Sequence, residues 1–203
     1  MSSRARTLAN FGDGIATADI GDGQITAAKL ASGAITSAAL PAGSVIDFQS
    51  VTKTDTFSAS VASGASTAVT GLSLTHSLKN ASNKLLITAY FGVAASGTGR
   101  GAIGMAIYNG SNLISIATSP GSRTPVTSGG ALAEASDNDR IVVMPSLSIV
   151  AEPGSTSAIT YTVHAINVDN VTTTLYVNRS EVDTDASYIP RGVSALHIQE
   201  IAG

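Results

Sequence analysis

From Ile15 to Val45 the large apolar residues fall five apart: Ile15, Ile20, Ile25, Leu30, Ile35, Leu40 and Val45. Gly23, Gly33 and Gly43 mark a ten-residue repeat over the same stretch. Five suits neither regular structure. On an α-helix it turns the chain by about 500°, so successive residues stand about 140° apart and smear around the cylinder. On a strand an odd step sends them to alternate faces. The heptads of a coiled coil are missing, as is the glycine at every third position that collagen requires.

Two local folds remain. In one, each decad is a unit. Gly-x-Ile-Thr runs extended, Thr26 or Thr36 caps a helical turn (27–30, 37–40), and Gly33 or Gly43 reverses the chain. In the other, the units are the pentapeptides ADIGD, GQITA, AKLAS, GAITS and AALPA, each with a small residue two before a central Ile or Leu. They are similar to pentapeptide-repeat solenoids, which need several stacked units to bury a core. Either way one copy has too little core to offset its chain entropy. A repeating thread can bury its large residues by wrapping around identical copies. A threefold shaft would place Ile15, Ile20, Ile25, Leu30, Ile35 and Leu40 toward the axis. A flexible linker is the competing reading, but linkers do not need regularly spaced Ile and Leu.

Beyond the repeat the composition points to β-structure. Only 12% of residues are charged and 4% aromatic, while 43% are hydrophobic. Disordered segments combine low hydrophobicity with high charge, the opposite balance. The net charge is −3 with no basic run, which argues against nucleic-acid binding through a Lys/Arg surface. The absence of Cys excludes disulfides, thiolate metal sites and a Cys nucleophile. No apolar run reaches the ~18 residues of a membrane span, so membrane insertion is not expected. MSSRARTLANF lacks the apolar core of a signal peptide, so synthesis in a cytoplasm without the usual export is expected.

Three zones result: 1–11, a short attachment peptide; 12–45, the repeat; and 46–203, a β-domain. The pattern gives strands at 45–52, 56–60, 68–75, 84–94, 102–108, 112–117, 140–150, 158–168, 172–177 and 193–201, separated by turn-rich pairs such as Asn109-Gly110 and Pro153-Gly154. Tyr161 and Val163 share one face of their strand, and Thr160, Thr162 and His164 the other. Ile141 to Met144 is apolar on both sides, as expected of a strand between two buried surfaces or at a subunit contact. Short strands without a long helix define an all-β class, a jelly-roll-like β-sandwich. The polar stretch 118–139 reads as a long loop.

Candidate chemistry is thin. His76, His164 and His197 have no ligand spacing, although a trimer can gather three copies of one His on its axis. Glu181, Asp183 and Asp185, with Asp137 and Asp139, offer oxygens for Ca²⁺ but lack the turn and distal Glu of a calcium loop. Ion pairing with Arg179, Arg191, Arg140 or Arg123 is the preferred reading, and no cofactor is expected. Few acids, no Trp and no Gly-x-Ser-x-Gly argue against a glycosidase or a serine hydrolase, so the chain is read as non-catalytic. The sequons at Asn80, Asn170 and Asn178 are chance matches in a Ser/Thr-rich chain. A glycan-binding surface, if present, is expected at the loops, with Tyr108, Arg123 and Tyr188 as donors or stacking groups.

The repeat GDGQITAAKLASGAITSAAL resembles the shaft repeats of tailed-phage fibres, those of cyanophages and marine phages in particular. The segments at 43–58, 82–89 and 175–203, the last reading LYVNRSEVDTDASYIPRGVSALHIQEIAG, are similar to the terminal β-domain of such fibres. The resemblance implies a homotrimeric virion protein whose partners are itself, other tail or capsid proteins, and a host surface glycan. It implies a structural charge network around Arg179, Glu181 and Asp183. Long fibres carry a larger anchoring domain, so here attachment falls to a short peptide including Arg4, Arg6, Leu8 and Phe11. A short fibre, a head fibre and a capsid decoration or cement protein all remain open. A secreted signalling jelly roll is disfavoured.

Overall fold

The computed structural model describes residues 20–30, 35, 39–96, 102–118, 121–131 and 140–203. They divide into two units, Met1–Leu40 and Pro41–Gly203. Arg4, Arg6, Leu8, Phe11 and Ile15 lie outside the described residues, as do Asp137 and Asp139.

In the first unit the repeat is built from turns. The Gln24 amide donates to the Gly21 carbonyl at 3.0 Å, with Gly23 at φ 74°. A short 3-10 turn follows at Ala27–Lys29, closed by the Lys29 amide on the Thr26 carbonyl at 2.9 Å. At the start of the second unit the same turn recurs: the Ser44 amide meets the Pro41 carbonyl at 3.1 Å, with Gly43 at φ 87°. A type II turn needs positive φ at its third residue, and glycine adopts it without steric cost. Gly23 and Gly43, twenty residues apart, thus close the same kind of turn, while Gly33 between them lies outside the described residues. Among the described residues of the repeat, only Val45 belongs to a strand, the first of the second unit.

The second unit contains β1 (Val45–Lys53), β2 (Phe57–Val61), β3 (Ser66–His76), β4 (Lys84–Tyr90), β5 (Val93–Ala95), β6 (Ala102–Asn109), β7 (Asn112–Ile114), β8 (Ser128–Ala131), β9 (Ser146–Ala151), β10 (Ile159–Asn167), β11 (Thr173–Val177) and β12 (Ser194–Ile201). Every pairing between these strands is antiparallel. One sheet runs β1-β12-β4-β9 and a second β3-β10-β6-β7, with β8 added on β6. The first strand lies beside the last in one sheet, and β3 lies beside β10 in the other. This is the winding of a jelly roll. A third, small sheet of order β2-β11-β5 sits where the chain passes from one large sheet to the other. The core between the sheets is aliphatic, including Leu72, Leu85, Ile87, Ile107, Leu196 and Ile198, with Phe91 and Tyr161 as its large aromatic members. Tyr161 and Val163 point inward and Thr160, Thr162 and His164 outward, as alternation requires.

Several strand boundaries differ from the pattern-based expectation. The segment 84–94 is two strands. The chain leaves β4 at Phe91-Gly92 and enters β5 in the small sheet, and Gly92 is packed so tightly that a Cβ would lie 2.9 Å from Met144 Sδ. The expected strand 140–150 begins only at Ser146. Before it, Val143 makes a single bridge to Val93, while Ile141 and Met144 are 41% and 48% exposed. Pro145 has no N–H to extend the ladder, so the apolar run is not a strand between two buried surfaces. β7 stops at Ile114 because Ser115 turns to φ 53°. The polar stretch 118–139 contains β8, which pairs antiparallel with β6, Ser128 opposite Met105 and Ala131 opposite Ala102.

Candidate functional site

Strand β12 carries the two most unusual features of the domain, one on each face. Alternation puts Leu196, Ile198 and Glu200 on its inner face and His197 and Gln199 on its outer face. Glu200 is therefore a carboxylate on an apolar face, and it is fully buried. A buried carboxylate must be hydrogen-bonded to be tolerated. Its Oε1 accepts from Asn83 Nδ2 at 2.6 Å and from the Lys79 amide at 2.7 Å, and its Oε2 lies 2.8 Å from His76 Nε2. Burial alone would push the carboxyl up. The hydrogen bonds from Asn83, Lys79 and His76, with the attraction of His76, outweigh it and hold Glu200 below its ordinary value. The hub ties the β3–β4 connection to the last strand. Asn83 extends it, its Oδ1 accepting from the Gly203 amide at 3.1 Å.

Asp47 faces Glu200 across the β1–β12 ladder. Ligand atoms of Asp47, His76 and Glu200 lie within 4.8 Å of one another, a donor set that suits a divalent ion such as Zn²⁺. Yet both Glu200 oxygens are engaged by donors, and Lys79 Nζ stands 3.4 Å from Asp47 Oδ2. With its carboxylate saturated by donors, the cluster is described as a structural hub. Glu200 and Asn83 were not singled out from the sequence. The available signal was a charged residue in phase with Leu196 and Ile198.

The outer face of the same sheet is different in character. The register aligns Phe48, Gln199, Leu86 and Val150 in one row, then Ser50, His197, Thr88 and Ser148, then Thr52, Ala195, Tyr90 and Ser146. None of these twelve positions is charged. Phe48 is 56% exposed and Val150 57%. His197 stacks on Phe48 with ring centroids 5.9 Å apart and meets Tyr90 at 6.3 Å. The three rings form a diagonal stripe across β1, β12 and β4, within reach because diagonal neighbours on a sheet can touch.

A third cluster lies between β11 and β12. Arg179 Nη1 meets Asp183 Oδ2 at 3.3 Å, and Arg191 Nη2 meets Asp183 Oδ1 at 2.7 Å. Arg179 also donates to the carbonyls of Ser180 and Glu181 and lies over the Tyr176 ring. Asp183 is thus ion-paired with both arginines, as the ion-pair reading expects. Nearby, Asn178 adopts φ 61° and donates to the carbonyls of Lys53 and Asp55, while its Oδ1 accepts from Ser194 Oγ at 2.6 Å.

The residues named for a receptor loop are differently placed. Tyr108 is on β6, not in a loop; its ring stacks on His164 at 3.8 Å and its hydroxyl lies 3.0 Å from Ser66 Oγ. Burial pushes His164 down from its ordinary value, because desolvation disfavours the charged imidazolium. Tyr188 is 65% exposed in the β11–β12 connection, where Arg140 lies over its ring at 5.1 Å. Arg123 is exposed in the segment before β8. In the repeat, Ile20, Ile25, Leu30 and Ile35 are 41%, 54%, 42% and 58% exposed, and Leu40 is half-buried.

The domain is thus an antiparallel β jelly roll preceded by a turn-built repeat. No protein-family model matches the chain, and no curated protein matches it. Among solved structures it is similar to infectious bursal disease virus, Gx strain, at 16% identity and a TM-score of 0.38, covering 78% of this chain and 39% of that one. It is also similar to the infectious bursal disease virus VP2 subviral particle, at 12% identity and a TM-score of 0.34, covering 77% and 38%. The chain spans about two fifths of those chains. Likeness at this level carries no argument about role, and the fold assignment rests on strand order.

Proposed function

We propose that this chain is a non-catalytic structural protein of a bacteriophage virion, a homotrimeric short fibre whose repeat is the shaft and whose jelly roll is the head. The observation that carries the reading is the exposure of Ile20, Ile25, Leu30 and Ile35 along a thread of recurring turns. Regularly spaced large apolar residues left in water are a liability for a lone chain and an asset for one that wraps around its copies. The likeness of the repeat to phage fibre shafts supplies the virion context, and contact with a host surface glycan is the role the head would serve. Avidity from three heads would compensate for weak single-site binding.

Sedimentation equilibrium of the full chain tests the reading. A mass of three chains is expected, falling to one in the Ile25→Asn/Ile35→Asn variant. A wild-type mass of one chain at micromolar concentration refutes it. Copy number in purified virions then separates a tail fibre, present in tens of chains, from a capsid decoration protein, present in hundreds.

A further inference from the structure

We infer that the outer face of the β1-β12-β4-β9 sheet is covered by a second copy of this chain in the assembled protein. The inference rests on the reading of the repeat as a multi-chain shaft and assigns the head a contact of its own. Three observations carry it.

The first is composition. Interface centres differ from ordinary surface by depletion of charge and enrichment of aromatics, more than by bulk hydrophobicity. This face has no charged residue over three rows, and Phe48, His197 and Tyr90 cross its middle. Charge returns at its end, where Lys84 pairs with Glu152 at 2.7 Å. The face is thus uncharged and crossed by rings, its middle row polar but neutral, with charge at its end.

The second is size. Four strands about 4.8 Å apart and three rows about 6.8 Å apart, with side-chain margins, give about 400 Å². A specific interface takes about 800 Å² per partner. The face is half of that. Exposed Met144 and Val193 extend it beyond Tyr90: Met144 packs on Gly92, and Gly92 lies against Gly192. A second protein held by this face alone would be held weakly. A copy already brought alongside by a shaft needs only such a modest contact.

The third is chain order. Gly43 closes the last turn of the repeat, and Val45 opens β1, the edge strand that carries Phe48. Residues that require copies are thus followed, within a few positions, by an exposed apolar row. In a closed ring of three, such a contact joins this face to a different patch on the next copy.

The Cys-free sequence allows a clean test with full-length chain. Ser148→Cys places a thiol on the face, and Ser157→Cys places one on the exposed β9–β10 turn as the reference. Both variants are first sized by sedimentation. In a trimer, the Ser148→Cys thiol is expected to react with a maleimide at least about tenfold more slowly than the Ser157→Cys thiol, because a covered face shields its side chains from solvent and reagent. In urea-unfolded chain the two rates should converge. Equal rates in an intact trimer overturn this inference and leave the shaft standing, with the face free for a different ligand. A monomeric wild type overturns both.

Discussion

Replacing Glu200 by Leu tests the buried hub directly. The two side chains are close in volume, so the substitution opens little cavity and isolates the polar contribution. Three donors lose their acceptor: Asn83 Nδ2, the Lys79 amide and His76 Nε2, which approach Glu200 at 2.6, 2.7 and 2.8 Å. A buried donor left unpaired costs about 1–3 kcal/mol, and hydrogen bonds to a charged group are worth more than neutral ones. The effects overlap, so a loss of about 3–5 kcal/mol is expected rather than their sum. For a chain of this length each kcal/mol lowers Tm by about 2–4 °C, giving a fall of about 6–20 °C. Far-UV circular dichroism during heating reads it, at one protein concentration because assembly shifts Tm.

The double variant His76→Leu/Glu200→Leu should recover part of the loss, since replacing both partners removes an orphaned group. Acid titration gives a second readout. Glu200 is held below its ordinary value near 4.5, so the unfolded chain takes up its proton first as pH falls. Its contribution is complete above about 4.5 and is lost as pH falls through the folded value. The single variant should flatten that acid limb. A Tm within about 3 °C of wild type, with the acid limb unchanged, would refute the assignment of Glu200 as the organiser of this corner.

Three further outcomes follow from the packing. Gly104→Ala places a methyl where the Val126 side chain stands, and overpacking of this kind costs about 1–3 kcal/mol; faster amide exchange at Thr127, whose N–H bonds the Met105 carbonyl at 3.0 Å, would report release of that segment. Gly43→Ala meets nothing within 4 Å and acts only through its φ of 87°, so about 1–2 kcal/mol is expected in denaturant unfolding, and no change would show that the turn relaxes freely. Asp183→Ala removes two pairs whose carboxylate is 25% exposed and whose arginines are 22% and 55% exposed, so a loss of about 1 kcal/mol in denaturant unfolding, reduced in high salt, is expected; a loss of several kcal/mol would mean the network is further buried in an assembly.

The all-β class and most strands were legible because alternation and turn chemistry are local. Tyr161 and Val163 on one side of β10 and His164 on the other need no tertiary information. What failed locally was decided at a distance. Nothing in residues 84–94 announces that the chain changes sheets at Gly92; the reason is the packing of Met144 and Val142 against it. The run Ile141 to Met144 looks like a buried strand, but Pro145 ends the ladder before it can form. β8 was hidden in a polar stretch because it is short and lacks an apolar alternation, so only its pairing with β6 reveals it. The expected pairing of Arg179 and Arg191 with acids holds at Asp183 because opposite charges close in sequence meet across one short connection. The outer sheet face was illegible for another reason: Phe48, Tyr90 and His197 come from three distant segments, and only register places them together.

The hub and the outer face are also mechanically related. Glu200 and His197 belong to one strand, paired on one side with β1 and on the other with β4. The hub fixes β12 to the β3–β4 connection from beneath, three residues from the ring that Phe48 and Tyr90 flank above. A contact built from a few rings on a flat sheet depends on those rings being held in place before a partner arrives, since ordering them on binding costs about 0.5–1.5 kcal/mol per side chain. Loss of the hub should therefore reach the face. If the proposed shaft and head contact both form, the head contact in Glu200→Leu should weaken before the shaft does, and the thiol of Ser148→Cys placed in that background should become reactive while the mass stays that of a trimer. If instead reactivity and mass change together, head and shaft form one cooperative unit, and the buried carboxylate stabilises the assembly as a whole.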